Sequence, residues 1–143
     1  MNIELVKEYS DELLEAINRL MPRLTSNFGQ IDEEYLKQLL AEKNSHLFIA
    51  RAENSLIIGA LTLNIFTIPT SKKAYIEDVV VDNSAQGKGV GKALLDAAIC
   101  YAREEKVVQV ELTSNPSRVA ANKLYQKLGF EKRETNYYKL QLK

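Results

Sequence analysis

Apolar residues recur along this chain with two periods, and the changes between them divide it into a succession of short elements. Residues 2–7 alternate, which predicts an edge strand. Ser10-Asp11-Glu12 then opens a helix whose Leu13, Leu14, Ile17, Leu20 and Met21 lie on one side, with Ser10 or Asp11 as the cap. A polar break covers Thr25 to Gln30, and Asp32-Glu33-Glu34 starts a second helix that turns Tyr35, Leu36, Leu39 and Leu40 inward. His46–Ala52 and Leu56–Ile68 read as a hairpin around Glu53-Asn54-Ser55. After a break at Pro69–Lys73 come a strand over Ala74–Val81 and a long helix from about Lys88 to Lys106. A strand over Val107–Thr113, a helix from about Arg118 to Leu128, and two closing strands at Phe130–Glu134 and Tyr137–Leu142 complete the order. No repeat, low-complexity stretch or linker interrupts it, which predicts a single domain over residues 1–143.

The junction after Val79-Val80-Val81 carries the strongest chemical signal. The apolar strand stops at Asp82, and glycines at 87, 89 and 91 alternate through the start of the long helix. A helix N-terminus presents N–H groups with no intrahelical partner and the positive end of its dipole. Glycines there remove the Cβ atoms that would hold an anion away, and Lys88 and Lys92 add positive charge. The segment suits a phosphate or pyrophosphate, although a helix start can also be glycine-rich for no such reason. It is neither of two familiar phosphate loops: the G-x-x-x-x-G-K-[ST] spacing is absent, and Gly87-Lys88-Gly89-Val90-Gly91 is one residue short of G-x-G-x-x-G.

Gln86-Gly87-Lys88-Gly89-Val90-Gly91 instead resembles the [RQ]-x-x-G-x-[GA] signature of the N-acetyltransferase (GNAT) family, whose loop binds the pyrophosphate of acetyl-coenzyme A. Ala121-Asn122-Lys123-Leu124-Tyr125-Gln126-Lys127-Leu128-Gly129-Phe130 resembles the later A-x-x-L-Y-x-x-x-G-F signature of the same family. The resemblance implies an α/β fold with a mixed, mostly antiparallel central sheet flanked by helices on both faces. It also implies that the strand before the phosphate loop and the strand before the tyrosine helix splay apart. In that wedge the backbone of Val79, Val80 and Val81 pairs with the pantetheine arm, and Gln86, Gly87, Lys88, Gly89, Val90, Gly91 and Lys92 surround the phosphates. Tyr125 takes the place of the family's acid, a phenol that stays protonated at neutral pH because its ordinary pKa is about 10; the alternative is a tyrosine that only packs under the sheet. The Val79 N–H is the implied oxyanion donor.

One departure from the family pattern is Arg118, which stands where many members have an asparagine seven residues before the tyrosine. Asn115 could take over that contact with the coenzyme, or Asn115-Pro116-Ser117 could simply be a turn with Ser117 capping the helix. Arg118 could reach the phosphates or be a solvated first-turn residue.

Two adjacent carboxylates interrupt the apolar strand before the loop, and strict alternation puts Glu77 with Val79 and Val81, and Asp78 with Ile76 and Val80. A carboxylate in such a strand is costly unless it faces a wet cleft or a partner. Glu77 is favoured over Asp78 as the base that takes the amine proton, against the alternatives of an ion pair or a bulge. By resemblance, Asn27, Phe28, Glu77, Asp78 and Tyr137 border the acceptor amine, with the last two strands flanking its pocket and Asn136 close by. The expected reaction is direct transfer from acetyl-coenzyme A to a primary amine of a small molecule or a peptide. The rival is a coenzyme A-binding module that lost turnover.

Composition narrows the partners. Lys plus Arg and Asp plus Glu both number 19, and 45% of residues are hydrophobic, so neither nucleic acid nor an anionic membrane is favoured and a globular domain is. The single cysteine, Cys100, falls in the apolar pattern of the long helix and reads as a near-core residue. His46 reads as structural, and no Cys/His spacing suggests a metal. A cytoplasmic protein is expected, without signal peptide or membrane span. Because relatives dimerise through sheet edges or helices, a homodimer is a further expectation with no surface assigned.

Overall fold

Five strands pair in sequence order into one sheet: β1 (Asn2–Leu5), β2 (Ser45–Arg51), β3 (Ile57–Ile68), β4 (Ser71–Val81) and β5 (Gln109–Glu111). The computed structural model describes residues 1–143 and consists of two compact units, Met1–Leu112 and Thr113–Lys143. In the first unit β1 to β4 are antiparallel neighbours, and β5 joins β4 in parallel. One face carries Leu47, Ile49, Ala60 and Val80 and packs against α1 (Asp11–Leu20) and α2 (Glu33–Ala41), whose Leu13, Ile17, Leu20 and Leu36 fill the core. The opposite face meets α3 (Val90–Glu104): a Cβ added at Gly59 would approach Val90 Cγ1 to 3.0 Å and Leu94 Cδ1 to 3.1 Å.

Local chemistry sets the helix starts. Ser10 accepts from the Leu13 N–H and Asp32 from the Tyr35 N–H, each satisfying a donor of the first turn. In α2 only Leu36 is fully buried, while Tyr35 is 58% exposed rather than inward. Tyr35 stands about 100° around the helix from Leu36, off the arc that Leu36, Leu39 and Leu40 define. Cys100 likewise is exposed, because α3 buries Leu94, Leu95, Ala98 and Ala102 and turns position 100 away from them. Leu36→Ala is expected to remove about 2–5 kcal/mol of stability, a cavity cost at a closed site, and to lower Tm by roughly 10 °C in a calorimetric scan.

Several elements differ from the pattern in the sequence. β3 and β4 continue to Ile68 and Ser71 across a two-residue turn, Pro69-Thr70, so the expected five-residue break is mostly strand. β5 is three residues long: it pairs with Lys73, Ala74 and Tyr75 and leaves β4 beyond them. In the second unit, α4 (Val119–Lys127) forms as expected, but residues 130–143 contain no strand. Glu131 to Lys143 are exposed, Tyr137, Tyr138, Leu140 and Leu142 among them at 71% or more. Alternation alone does not make a strand; the pleat needs a ladder partner and an apolar surface to cover, and here those side chains cover none.

Candidate functional site

β4 runs past its last β5 partner, Tyr75, as far as Val81, and one edge of the strand is therefore without a ladder over residues 76–81. Its N–H and C=O groups there need partners. The ladder to β3 is also irregular at this place. Thr62 pairs with Glu77 and Ala60 with Val80, so Asp78 and Val79 both face the single residue Leu61. This is a bulge, and Asp78 adopts φ 53 within it, a left-handed conformation that Asp and Asn tolerate better than other side chains.

The bulge corrects the expected facing of β4. Because Ala60 and Thr62 share a face, so do their partners Val80 and Glu77, and Ile76 faces the other way opposite Leu63. Strict alternation had put Glu77 with Val79 and Val81, and Asp78 with Ile76 and Val80; the extra residue shifts the phase between the two halves of the strand. Glu77 therefore belongs to the face that carries α1 and α2. Phe28, half-buried, packs against the apolar cluster on that face. Thr62, Asn64 and Tyr75 are half-buried polar neighbours there, since Asn64 pairs with Tyr75 in the same row. Sequence reasoning missed these three, although Thr62 and Asn64 are polar at alternate positions of an otherwise apolar strand. Asn27 is exposed, its N–H bonded to Thr25 Oγ1 at 3.3 Å.

Partial burial raises the Glu77 carboxyl above the usual carboxylate range, and the neighbouring Asp78 charge adds to the shift. Asp78 has a conformational reason to be where it is; Glu77 has none, which favours Glu77 as the chemical carboxylate.

Beyond Val81 the chain turns through Asp82 and the short 3-10 turn Asn83–Ala85 into the glycine-rich segment. Gly87 and Gly89 have φ of 75 and 79, and Gly89 is the N-cap of α3, so the helix starts at Val90 rather than Lys88. Nothing lies within 4 Å of a Cβ placed at either glycine, which leaves the approach to the Val90, Gly91 and Lys92 N–H groups open. Gln86, Lys88 and Lys92 are exposed, and Lys92 is held by Asp96 at 2.7 Å. An anion would thus meet backbone donors and the helix dipole first, with Lys88 as the mobile charge.

In the second unit, Gly129 at φ 103 ends α4 and its N–H bonds to Gln126 O, while the Phe130 N–H returns to Tyr125 O at 3.0 Å. These bonds form a Schellman cap. The cap folds Phe130 back onto Tyr125, with ring centroids 6.0 Å apart in an edge-on arrangement. Tyr125 is 6% exposed, and burial raises its hydroxyl above its usual range while the Arg118 charge pulls it down. Asn115 serves the turn: its side-chain oxygen accepts from the Ser117 N–H and its carbonyl from Asn122. The helix N-cap is Arg118, which makes no side-chain cap, so Ser117 is not the capping residue. Tyr137 stands exposed on the segment without strands, and no closing hairpin flanks a pocket.

Elsewhere His46 donates Nδ1–H to Leu63 O at 3.2 Å and stacks near Tyr101. No group of three or more His, Cys, Asp or Glu is gathered to hold a metal, and no helix is long and apolar enough to cross a membrane.

Residues 10–130 match the acetyltransferase (GNAT) family. N-acetyltransferase 8B of Homo sapiens is 30% identical over 104 residues, covering 71% of this chain and 45% of the human protein. The chain thus spans about half the length of the human relatives it matches. L-2,4-diaminobutyric acid acetyltransferase of Marinococcus halophilus is 31% identical over 107 residues, covering 73% of this chain and 60% of that one. An aminoglycoside acetyltransferase from an uncultured soil metagenomic sample, crystallised with trehalose, has a TM-score of 0.82 at 28% identity and covers 98% of this chain and 96% of its own.

Proposed function

Since this chain belongs to the acetyltransferase (GNAT) family, we propose that it transfers the acetyl group of acetyl-coenzyme A to a primary amine by direct attack in a ternary complex. The family match crosses both compact units, which supports reading residues 1–143 as one catalytic domain. The observation that carries the proposal is the open edge of β4 leading straight into a helix N-terminus cleared by Gly87 and Gly89.

Bound acetyl-coenzyme A supplies a thioester carbonyl and a thiolate leaving group. The Val90, Gly91 and Lys92 N–H groups and Lys88 hold its pyrophosphate, and the backbone of Val79, Val80 and Val81 pairs with its amide-bearing arm. Gln86, Asn115 and Arg118 complete this set in the proposal. Glu77 takes a proton from the amine, either directly or through a water, the Val79 N–H at the bulge stabilises the developing oxyanion, and Tyr125 gives its hydroxyl proton to the sulfur. Asn27, Phe28 and Asp78, with Thr62, Asn64 and Tyr75 beside them, border the amine in this reading, and Tyr137, exposed on a segment without strands, drops out of the set. Relatives named for diaminobutyrate and aminoglycosides support a small-molecule amine as the acceptor.

Calorimetric titration with acetyl-coenzyme A beside ATP and NAD tests the reading. Micromolar binding of acetyl-coenzyme A alone, about −8 kcal/mol, followed by thiol release with a panel of amines, is the expected result. Binding without thiol release from any amine sinks the catalytic claim, and no binding in folded protein sinks the whole reading.

Glu77 also predicts a pH dependence. A base works deprotonated, so its raised pKa places the rising limb of kcat/KM above the usual carboxylate range, at higher pH than an unperturbed Glu. Glu77→Gln is expected to abolish that limb and lower kcat on the order of 10²-fold, while the limb belonging to the amine persists. An unchanged profile assigns the proton to another route. For stability the sign is the reverse: a carboxyl raised in the folded state favours folding below its unfolded pKa, and that contribution is lost as pH rises through the folded value.

A further inference from the structure

Arg19, in the last turn of α1, makes two contacts that have no part in the chemistry above. Nη1 meets Asp82 Oδ2 at 2.7 Å, and Nη2 donates to Ile57 O at 2.8 Å. The planar fork thus joins the acceptor-side helix, the first residue of β3 and the residue at which β4 turns towards the phosphate segment. Asp82 is the pivot of that turn. Its N–H donates to Ile58 O at 2.7 Å, its Oδ1 accepts from Ser84 N and Oγ at 3.0 Å each, and its carbonyl accepts from the Ala85 N–H. Four residues further on the glycine segment begins. The same start of β3 abuts the first turns of α3, where Gly59 is tight against Val90 and Leu94. Residues 57–59 therefore meet Arg19, Asp82 and the first turns of α3 in succession.

We infer that Arg19 is a positioning residue for coenzyme binding: through Asp82 and Ile57 it fixes the exit of β4 and hence the direction of the N–H groups at the head of α3. The inference rests on the acetyl-coenzyme A reading of that loop. Backbone donors cannot adjust as the Lys88 side chain can, so their share of the affinity depends on the rigidity of the turn that carries them. Arg19 and Asp82 are only partly exposed, 33% and 23% at the side chain, which lessens solvent screening of the pair. The hydrogen bonds from Ser84, with the Arg19 and Arg23 charges contributing, hold the Asp82 carboxyl below its usual range. Lysine at position 19 keeps the charge but cannot reach both oxygens with a fork.

The test is a double-variant cycle read by the dissociation constant of acetyl-coenzyme A in calorimetry, with thermal melting of each protein alongside. Arg19→Met and Asp82→Asn are each expected to weaken binding about tenfold, or about 1.4 kcal/mol, and the double variant no further than either single one. Arg19→Lys is expected to fall between wild type and Arg19→Met. A merely structural pair would lower the melting temperature and leave the dissociation constant of the folded protein alone. Binding by Arg19→Met within twofold of wild type overturns the inference, and so does an additive, hundredfold loss in the double variant. If Arg19→Met does not fold, Asp82→Asn against Arg19→Lys decides by the same criterion. Failure of wild type itself to bind acetyl-coenzyme A would instead remove the acetyltransferase reading, before any variant is compared.

Discussion

Tyr125→Phe is expected to lower kcat on the order of 10²-fold or more while changing the KM for acetyl-coenzyme A less than threefold. The substitution removes one oxygen and keeps the ring, so the edge-on contact with Phe130 and the Schellman cap that presents it are retained. What is lost is the hydroxyl proposed as the proton donor, held protonated by burial against the opposing pull of Arg118. A thiolate leaving without that donor must depart as the anion, and its rate then depends on the pKa of the thiol. Two measurements separate the acid from a packing role. Steady-state kinetics should show the kcat loss, and replacing the natural coenzyme by an acyl donor with a more acidic leaving thiol should restore part of it. A loss smaller than fivefold, or no recovery with the better leaving group, would mean that Tyr125 only fills space.

The second large effect is at the phosphate loop. Gly89→Val is expected to weaken acetyl-coenzyme A binding at least a hundredfold, and Gly89→Ala by roughly tenfold. At φ 79 any L-residue is strained by roughly 1–2 kcal/mol, and a β-branched one by more. No protein atom lies within 4 Å of the added Cβ, so crowding inside the chain adds nothing. The methyl groups of valine would instead occupy the space in front of the first N–H groups of α3, where the pyrophosphate is proposed to lie. Calorimetry gives the affinities, and melting curves should show the strain as a stability loss of about 1–2 kcal/mol for alanine and more for valine. Equal binding by glycine, alanine and valine proteins would remove the phosphate from this loop.

Much of this molecule was legible before any coordinates, and the successes share a cause. The glycine-rich turn, α3 and α4 are coded locally: a glycine that must be left-handed, a cap, an apolar stripe three and four residues apart. Gly129 stands where the pattern put it, at the end of α4, while Gly89, expected one residue inside α3, is its N-cap. The misreadings are non-local. The two carboxylates in Ile76-Glu77-Asp78-Val79-Val80 left a bulge open as an alternative but did not say which residue is surplus, because the alternation that reveals facing is the very thing that a bulge breaks. Thr62 announces it only through its pairing with Glu77, a contact fifteen residues away in sequence. The length of β5 was set by where the chain leaves β4 after Tyr75, and the closing segment by whether any partner exists at all. The site divides the same way: the donors at the head of α3 follow from sequence, whereas the polar row of Thr62, Asn64 and Tyr75 beside Glu77 needed the register of the sheet.

The left-handed step at Asp78 has a consequence for descent. A strand whose residues kept one phase from end to end would tie the amine-facing positions to the coenzyme-facing ones, because a slip in either half would turn every side chain of the other. With one surplus residue in the middle, the two halves keep separate accounts of which way they point. With the roles proposed for them, Thr62, Asn64 and Tyr75 could drift and admit a different amine while Val79 to Val81 went on offering backbone to the same carrier. A lineage built on this strand can change its customer without changing its supplier.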